Sequence, residues 1–225
     1  MAIARTASGQ IGASTAVTGI SGAFNCSGGD FLIAFARTDN ADTQTCTYNG
    51  VSMTSLGVAT VNTYSTAHQI QVFILSSPAA GANTLASSGT GSTYRALQAI
   101  AYSGTKLSGQ PDAQSLPAGT TGTSLSTNIT TIAANAWIAG IYANDNGGTV
   151  TATGSAVIIG SAFSNPGSVD MLWDTNGAIA SPGSVSVGGQ STVSGGQALA
   201  AVSIAPPSAT AAAAVHYLTL LGVGV

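Results

Sequence analysis

Gln69-Ile-Gln-Val-Phe-Ile-Leu75 alternates along its length. Side chains point to opposite faces at successive positions of a strand, so Ile70, Val72 and Ile74 share one face, and Gln69, Gln71 and Phe73 the other. Working outward, similar short runs are separated by clusters of Gly, Ser, Asn, Asp and Pro. Before it stand Phe31–Arg37, Thr45–Tyr48 and Ser52–Thr60, and after it Asn83–Ser87 and Tyr94–Tyr102. The second half adds Ala136–Tyr142, Thr149–Thr153, Ala156–Phe163, Val169–Trp173, Ser184–Val187 and Ala198–Ile204. Long helices are disfavoured, because Glu is absent and Lys, Arg and Met are scarce while Gly, Ser and Thr abound. The expected class is all-β: a jelly-roll-like β-sandwich of about 10–12 short strands with a two-fold internal pseudo-repeat.

The repeat is read from five segments that keep their order at an offset of roughly 100 residues. Asp30-Phe-Leu-Ile-Ala-Phe-Ala-Arg-Thr-Asp39 parallels Asn135-Ala-Trp-Ile-Ala-Gly-Ile-Tyr-Ala-Asn144. Thr47–Gly57 parallels Thr151–Gly160, Gln69–Leu75 parallels Ser168–Trp173, and Pro78–Leu85 parallels Ser181–Val187. Arg95-Ala-Leu-Gln-Ala-Ile-Ala-Tyr102 closes the series against Gln197-Ala-Leu-Ala-Ala-Val-Ser-Ile204. Two open five-stranded units facing each other would bury both apolar faces in one sandwich; two small separate domains are the alternative. The expected organisation is an N-terminal arm over 1–22 and a sandwich over 23–205, with half-repeats at about 30–105 and 135–205. A surface crossover over 104–132 would join the halves, and 206–225 would form a linker and an apolar tail.

Composition narrows the function classes. The 225 residues are 44% hydrophobic, which argues for a packed core, but only 5% charged. The cations are Arg5, Arg37, Arg95 and Lys106, and the anions are seven Asp. Four cations do not make a phosphate-tracking surface, so no nucleic-acid partner is expected. A surface so poor in charge does little to hold copies apart, and close association with neighbours follows. No run approaches the roughly 18 apolar residues of a membrane span, and the start, Met1–Gln10, has no apolar signal core. A chain of exterior-type composition without a signal is expected in a phage particle released by lysis, or otherwise outside the cell or at its surface.

Chemistry-bearing residues are sparse. Cys26 and Cys46 are conceivable disulfide partners, though two half-buried free thiols are the simpler reading. Two Cys with the distant His68 and His216 have no metal-ligand spacing, and no metal or cofactor is expected. No catalytic residues are assigned: there is no nucleophile elbow. Asp170 and Asp174, at i and i+4 of one strand, are read as solvent-facing rather than as a hydrolytic acid pair. Asp39-Asn-Ala-Asp42 and Asn144-Asp-Asn146 are read as turns. Among the aromatics, Tyr64 and Tyr94 lie near loop ends and are candidate ligand contacts, for which surface glycans are the partner class. The tail Val215-His-Tyr-Leu-Thr-Leu-Leu-Gly-Val-Gly-Val225 offers Val215, Tyr217, Leu218, Leu220 and Leu221 as an assembly segment, packing on a neighbouring subunit.

Tyr48-Asn-Gly-Val-Ser-Met-Thr54, Val72-Phe-Ile-Leu-Ser-Ser-Pro-Ala-Ala-Gly-Ala-Asn-Thr-Leu85 and Ala99-Ile-Ala-Tyr-Ser-Gly104 together resemble a pattern of uncharacterised phage and bacterial surface proteins. These look like jelly-roll-type β-sandwich modules of tail, fibre and capsid-decoration proteins. The resemblance covers roughly 30–105 and marks turns and core positions rather than catalytic ones. It implies a non-enzymatic virion structural protein, with partners in its own copies and in other virion proteins. The alternative function is a receptor- or glycan-binding adhesin module.

Overall fold

A computed structural model describes residues 1–62, 67–165 and 168–208. The chain is all-β. The first seven strands are β1 (Ala4–Asn25), β2 (Phe31–Thr38), β3 (Gln44–Tyr48), β4 (Val51–Ser52), β5 (Thr54–Asn62), β6 (Ala67–Ser76) and β7 (Ala82–Ser103). The remainder are β8 (Ala113–Ser115), β9 (Thr120–Thr131), β10 (Trp137–Asn144), β11 (Val150–Gly154), β12 (Val157–Asn165), β13 (Ser168–Asp174) and β14 (Gly183–Ile204).

Two seven-stranded sheets result. One runs β4-β3-β7-β2-β6-β5 with β1 on β7; the other runs β11-β14-β10-β13-β12 with β8 and β9 on β14. Within them, β3-β7-β2-β6-β5 and β11-β14-β10-β13-β12 run in the same order along the chain. Every named pairing is antiparallel.

The expected short strands are corrected in two places, since β7 and β14 each run 22 residues, as does β1. Asn83–Ser87 and Tyr94–Tyr102 are two ends of β7, and Ser184–Val187 and Ala198–Ile204 two ends of β14. Gly188-Gly189 and Gly195-Gly196, pairs that as sequence suggest hairpin turns, lie inside β14. Gly189 is needed there for closeness: a Cβ would stand 2.5 Å from the Tyr142 ring. Residues 1–22, expected as an arm, belong almost wholly to β1, and the 104–132 crossover carries β8 and β9. Both β1 and β9 are rich in Gly, Ala, Ser and Thr, so they bury little and are ordered largely by hydrogen bonding along β7 and β14.

Each long ribbon bends. Along β1 the register slips between Ser14 and Val17, where Ala16 takes φ 52°, opposite the small residues Ser88–Thr93 of β7. Beyond the bend, β7 exchanges its partner: Arg95–Tyr102 pairs with β2, whereas Leu85–Gly89 pairs with β3. The sheet therefore folds over itself. Leu32, Ala34, Leu97 and Ala101 from one arm meet Cys46, Tyr48 and Leu85 from the other in a first core. The second half does likewise, with Ile138, Tyr142, Met171, Trp173 and Leu199 against Val187 and Ile129.

A third core joins the halves. Phe31, Ile33, Phe35, Ile70, Val72, Ile74 and Ile100 pack on Ala139, Ile141, Leu172, Ala200, Val202 and Ile204. This face-to-face contact is the sandwich, but the expectation of open units with one apolar face each is corrected. Strands β2 and β13 are buried at every position, because one face turns to the shared core and the other to the half's own. Ile70, Val72 and Ile74 enter the shared core while Phe73 enters the first half's core, as the alternation required.

Candidate functional site

None of the Lys, Arg or Asp side chains is exposed; all are buried or half-buried. That distribution is the chemistry of this molecule, and it concentrates at the seam between the halves.

Strand alternation on β13 sends Met171 and Trp173 into the second half and leaves Asp170, Leu172 and Asp174 facing the first. Arg37 Nη1 of β2 donates to Asp170 Oδ1 at 2.5 Å, and Gln98 Nε2 of β7 donates to Asp170 Oδ2 at 3.1 Å. At the other end, Arg5 Nη1 donates to Asp174 Oδ2 at 2.6 Å, and the Tyr102 hydroxyl donates to the same oxygen at 3.1 Å. Asp170 and Asp174 are both fully buried, so the solvent-facing reading is overturned. A carboxylate enters an apolar seam only when charge and hydrogen bonds replace its water, and the Arg partners do this. Burial disfavours the charged form of Arg37, but Asp170 and Asp39 outweigh it and raise its pKa. Burial, followed by the charge of Asp174, pushes Tyr102 well above its ordinary value.

The seam continues to His68, the side chain of which is 17% exposed. Its Nδ1 lies 3.0 Å from Asp39 Oδ1 of the same half and its Nε2 3.8 Å from Asp145 Oδ2 of the other. Arg37 Nη2 stands 3.8 Å from Asp39. Asp145 also accepts the Gly196 amide at 2.5 Å.

The remaining acids hold backbone and loops. Asp42 pairs with Arg95 and accepts from the Thr90 amide at 3.0 Å and its hydroxyl at 2.8 Å. Burial pushes the Asp42 carboxyl up, but the Thr90 and Arg95 hydrogen bonds overcome this and leave its pKa lowered. Asp30 accepts the Gly104 amide, and Asp112 accepts the amides of Ile132 and Ala133. The turn reading of Asn144-Asp-Asn146 matches the Asn146 amide donating to Asn144 Oδ1 at 2.8 Å. Every Asp thus has a structural partner.

The other expected site residues separate. Tyr94 is 7% exposed within β7, next to Arg95, and is not a surface ligand contact. Tyr64 and the tail residues Val215, Tyr217, Leu218, Leu220 and Leu221 lie outside the described residues, as does His216. Cys26 and Cys46 are free and buried. Cys46 pairs with Ser87 of β7, whereas the Cys26 amide donates to Gly81, just before β7; six positions of extended chain span roughly 20 Å, far beyond disulfide reach. Burial raises the Cys26 thiol and pushes the Cys46 thiol up to about 12. Trp137 is half-buried against the shared core and meets Tyr102 edge-on at 5.8 Å.

Among the described residues, no group of three or more His, Cys, Asp or Glu has the arrangement of a metal site. Among the described residues, no helix is long and apolar enough to cross a membrane. No family model matches the chain, and no curated protein or solved structure matches it.

Proposed function

We propose that this chain is a non-enzymatic structural protein of a phage particle, a capsid-decoration, head-fibre or tail-associated block that self-associates or docks on the particle. The single observation behind this reading is the inward commitment of charge. Seven carboxylates are engaged within the fold, which supports a building role over an acid–base one. The outer sheets present Ser, Thr, Ala and Gly instead, as in Thr45, whose hydroxyl lies 3.0 Å from that of the exposed Ser88. Two such surfaces meet without stripping water from ions, so apolar and hydroxyl contacts suffice to hold them. Three cores within one chain give a block whose shape is set before it meets a neighbour.

The test is the solution mass across a concentration series, followed by electron microscopy of the purified protein. A defined oligomer or an ordered array supports the building-block reading. A monomer at every concentration, with no retention on particles, sinks it. The glycan-module reading is weakened by the burial of Tyr94; saturable binding on a glycan array would restore it.

A further inference from the structure

A strand at the edge of a sheet leaves backbone donors and acceptors open, and this molecule blunts most of its edges. Strands β4 and β11 end their sheets at only two and five residues. At the opposite ends, β5 slips in register between Ser55 and Gly57, and β12 between Ile158 and Gly160 and again between Ala162 and Asn165. Strand β1 slips four times along β7, and its longest unbroken run, Gly19–Asn25, is weakened by Gly19 and Gly22. Strand β9 differs. Its run Ser124-Leu-Ser-Thr-Asn-Ile-Thr-Thr131 follows β14 from Gln190 to Gly183 without a slip, and it holds no Pro, Gly or charge. Ser126 and Asn128 are exposed, whereas Leu125, Thr127 and Ile129 turn inward. Among the described residues β14 is the strand that pairs with β9, so the far edge of this run keeps its N–H and C=O groups open.

Resting on the self-association reading above, we infer that this edge docks the β9 of a second copy, the two strands running antiparallel about a two-fold axis at Thr127. Open backbone groups on a straight edge are matched by another extended strand, and the sequence of the run says which one. An axis normal to the sheet keeps each face continuous only in registers that set odd positions against odd and even against even. Of these, the register centred on Thr127 opposes Leu125 to the other copy's Ile129, the two large apolar side chains of the run. It also sets Ser126 against the other copy's Asn128, so that hydroxyl meets amide on the outer face. The run brings no charge to the contact, and nothing on one strand repels the other. Each half-buried Leu125 gains cover from a side chain that its own sheet does not supply. The contact is the same from both sides and closes at two copies, with one sheet running on into the next.

The test uses the full chain and substitutions at the two exposed positions Ser126 and Asn128. Light scattering of the full chain should give close to twice 21.8 kDa. Ser126→Lys with Asn128→Lys opposes like charges across the contact and should give the monomer mass. Ser126→Lys with Asn128→Asp opposes unlike charges and should keep the dimer. Ser126→Cys and Asn128→Cys, each oxidised alone with copper phenanthroline, should stay uncoupled at this contact. Mixed, they should give a disulfide-linked pair with one chain of each kind. A full chain that is monomeric overturns both this inference and the self-association reading. The inference alone is overturned if the first double variant keeps the full chain's mass, or if the second loses it. Coupling of Ser126→Cys by itself, or failure of the mixture to couple, overturns it too.

Discussion

The two halves share a strand order but settle their buried polar groups differently. At the bend of β7 the first half places Arg95, fully buried, with its guanidinium on Asp42, Gln44 Oε1 and the carbonyls of Val17 and Gly91. At the corresponding place in β14 the second half has Gln197, also fully buried, and neither amide atom has a hydrogen-bond partner among the described residues. One half is clamped by ions and the other closes over an unsatisfied amide. Apolar alternation is enough to specify this strand order, and the polar residues decide how stability is distributed over it.

The halves also carry separate reporters: both cysteines lie in the first, and both tryptophans in the second. The strongest way to break the comparison is at the seam. Asp170→Ala takes from buried Arg37 its fully buried carboxylate partner, leaving Asp39 at 3.8 Å, and should cost roughly 3–5 kcal/mol. Urea unfolding read by thiol labelling and by Trp fluorescence should shift equally, because both halves share the third core. Diverging midpoints would show that the halves unfold independently. Arg37→Met combined with Asp170→Leu should recover most of the loss.

Within the first half, Asp42→Ala removes the partner of Arg95 but leaves Gln44 and two carbonyls, so a loss of roughly 2–3 kcal/mol is expected. In the second half, Gln197→Leu relieves an unpaired amide and should be neutral or stabilising by about 1 kcal/mol. A large loss in that variant, measured by the same urea titration, would mean that Gln197 is satisfied in solution and the contrast between halves is void.

The smallest effects are in pH. The lowered pKa of Asp42 means that its contribution is present above the unfolded value of about 3.9 and is lost as pH falls through the folded one. Asp42→Asn should flatten the acid limb of a melting-temperature profile. Tyr102 is raised, so its contribution is full below about 10 and is lost as pH rises towards its folded value. Tyr102→Phe should flatten the alkaline limb; an unchanged limb would remove Tyr102 from the seam's electrostatics.

Much of this fold was legible in the sequence, for identifiable reasons. Gln69–Leu75 carries large apolar residues at period two, so its two faces declared themselves. The runs Phe31–Ala36 and Trp137–Tyr142 are apolar throughout, which signals burial on both faces, yet the sequence reading gave each unit only one. β1 escaped because Ala, Gly, Ser and Thr carry no burial contrast; its order comes from the edge of β7. A usable signal was the length of β7 itself, since its two apolar ends flank Ser88–Thr93 without a Pro or Asn. At the seam, spacing placed Asp170 and Asp174 on one face but not which side it met. The Arg that neutralises Asp170 lies 133 residues away, a distance that local pattern does not span.

In that seam both guanidiniums come from the first half and both fully buried carboxylates from the second. The joint is therefore keyed. Two first halves laid together would confront Arg5 and Arg37 with their own copies, and two second halves would confront four carboxylates with no cation. Like rejects like and only unlike halves close. Where many copies fold side by side, a half that opens finds one kind of mate, and a mispaired half is expelled by its own charge.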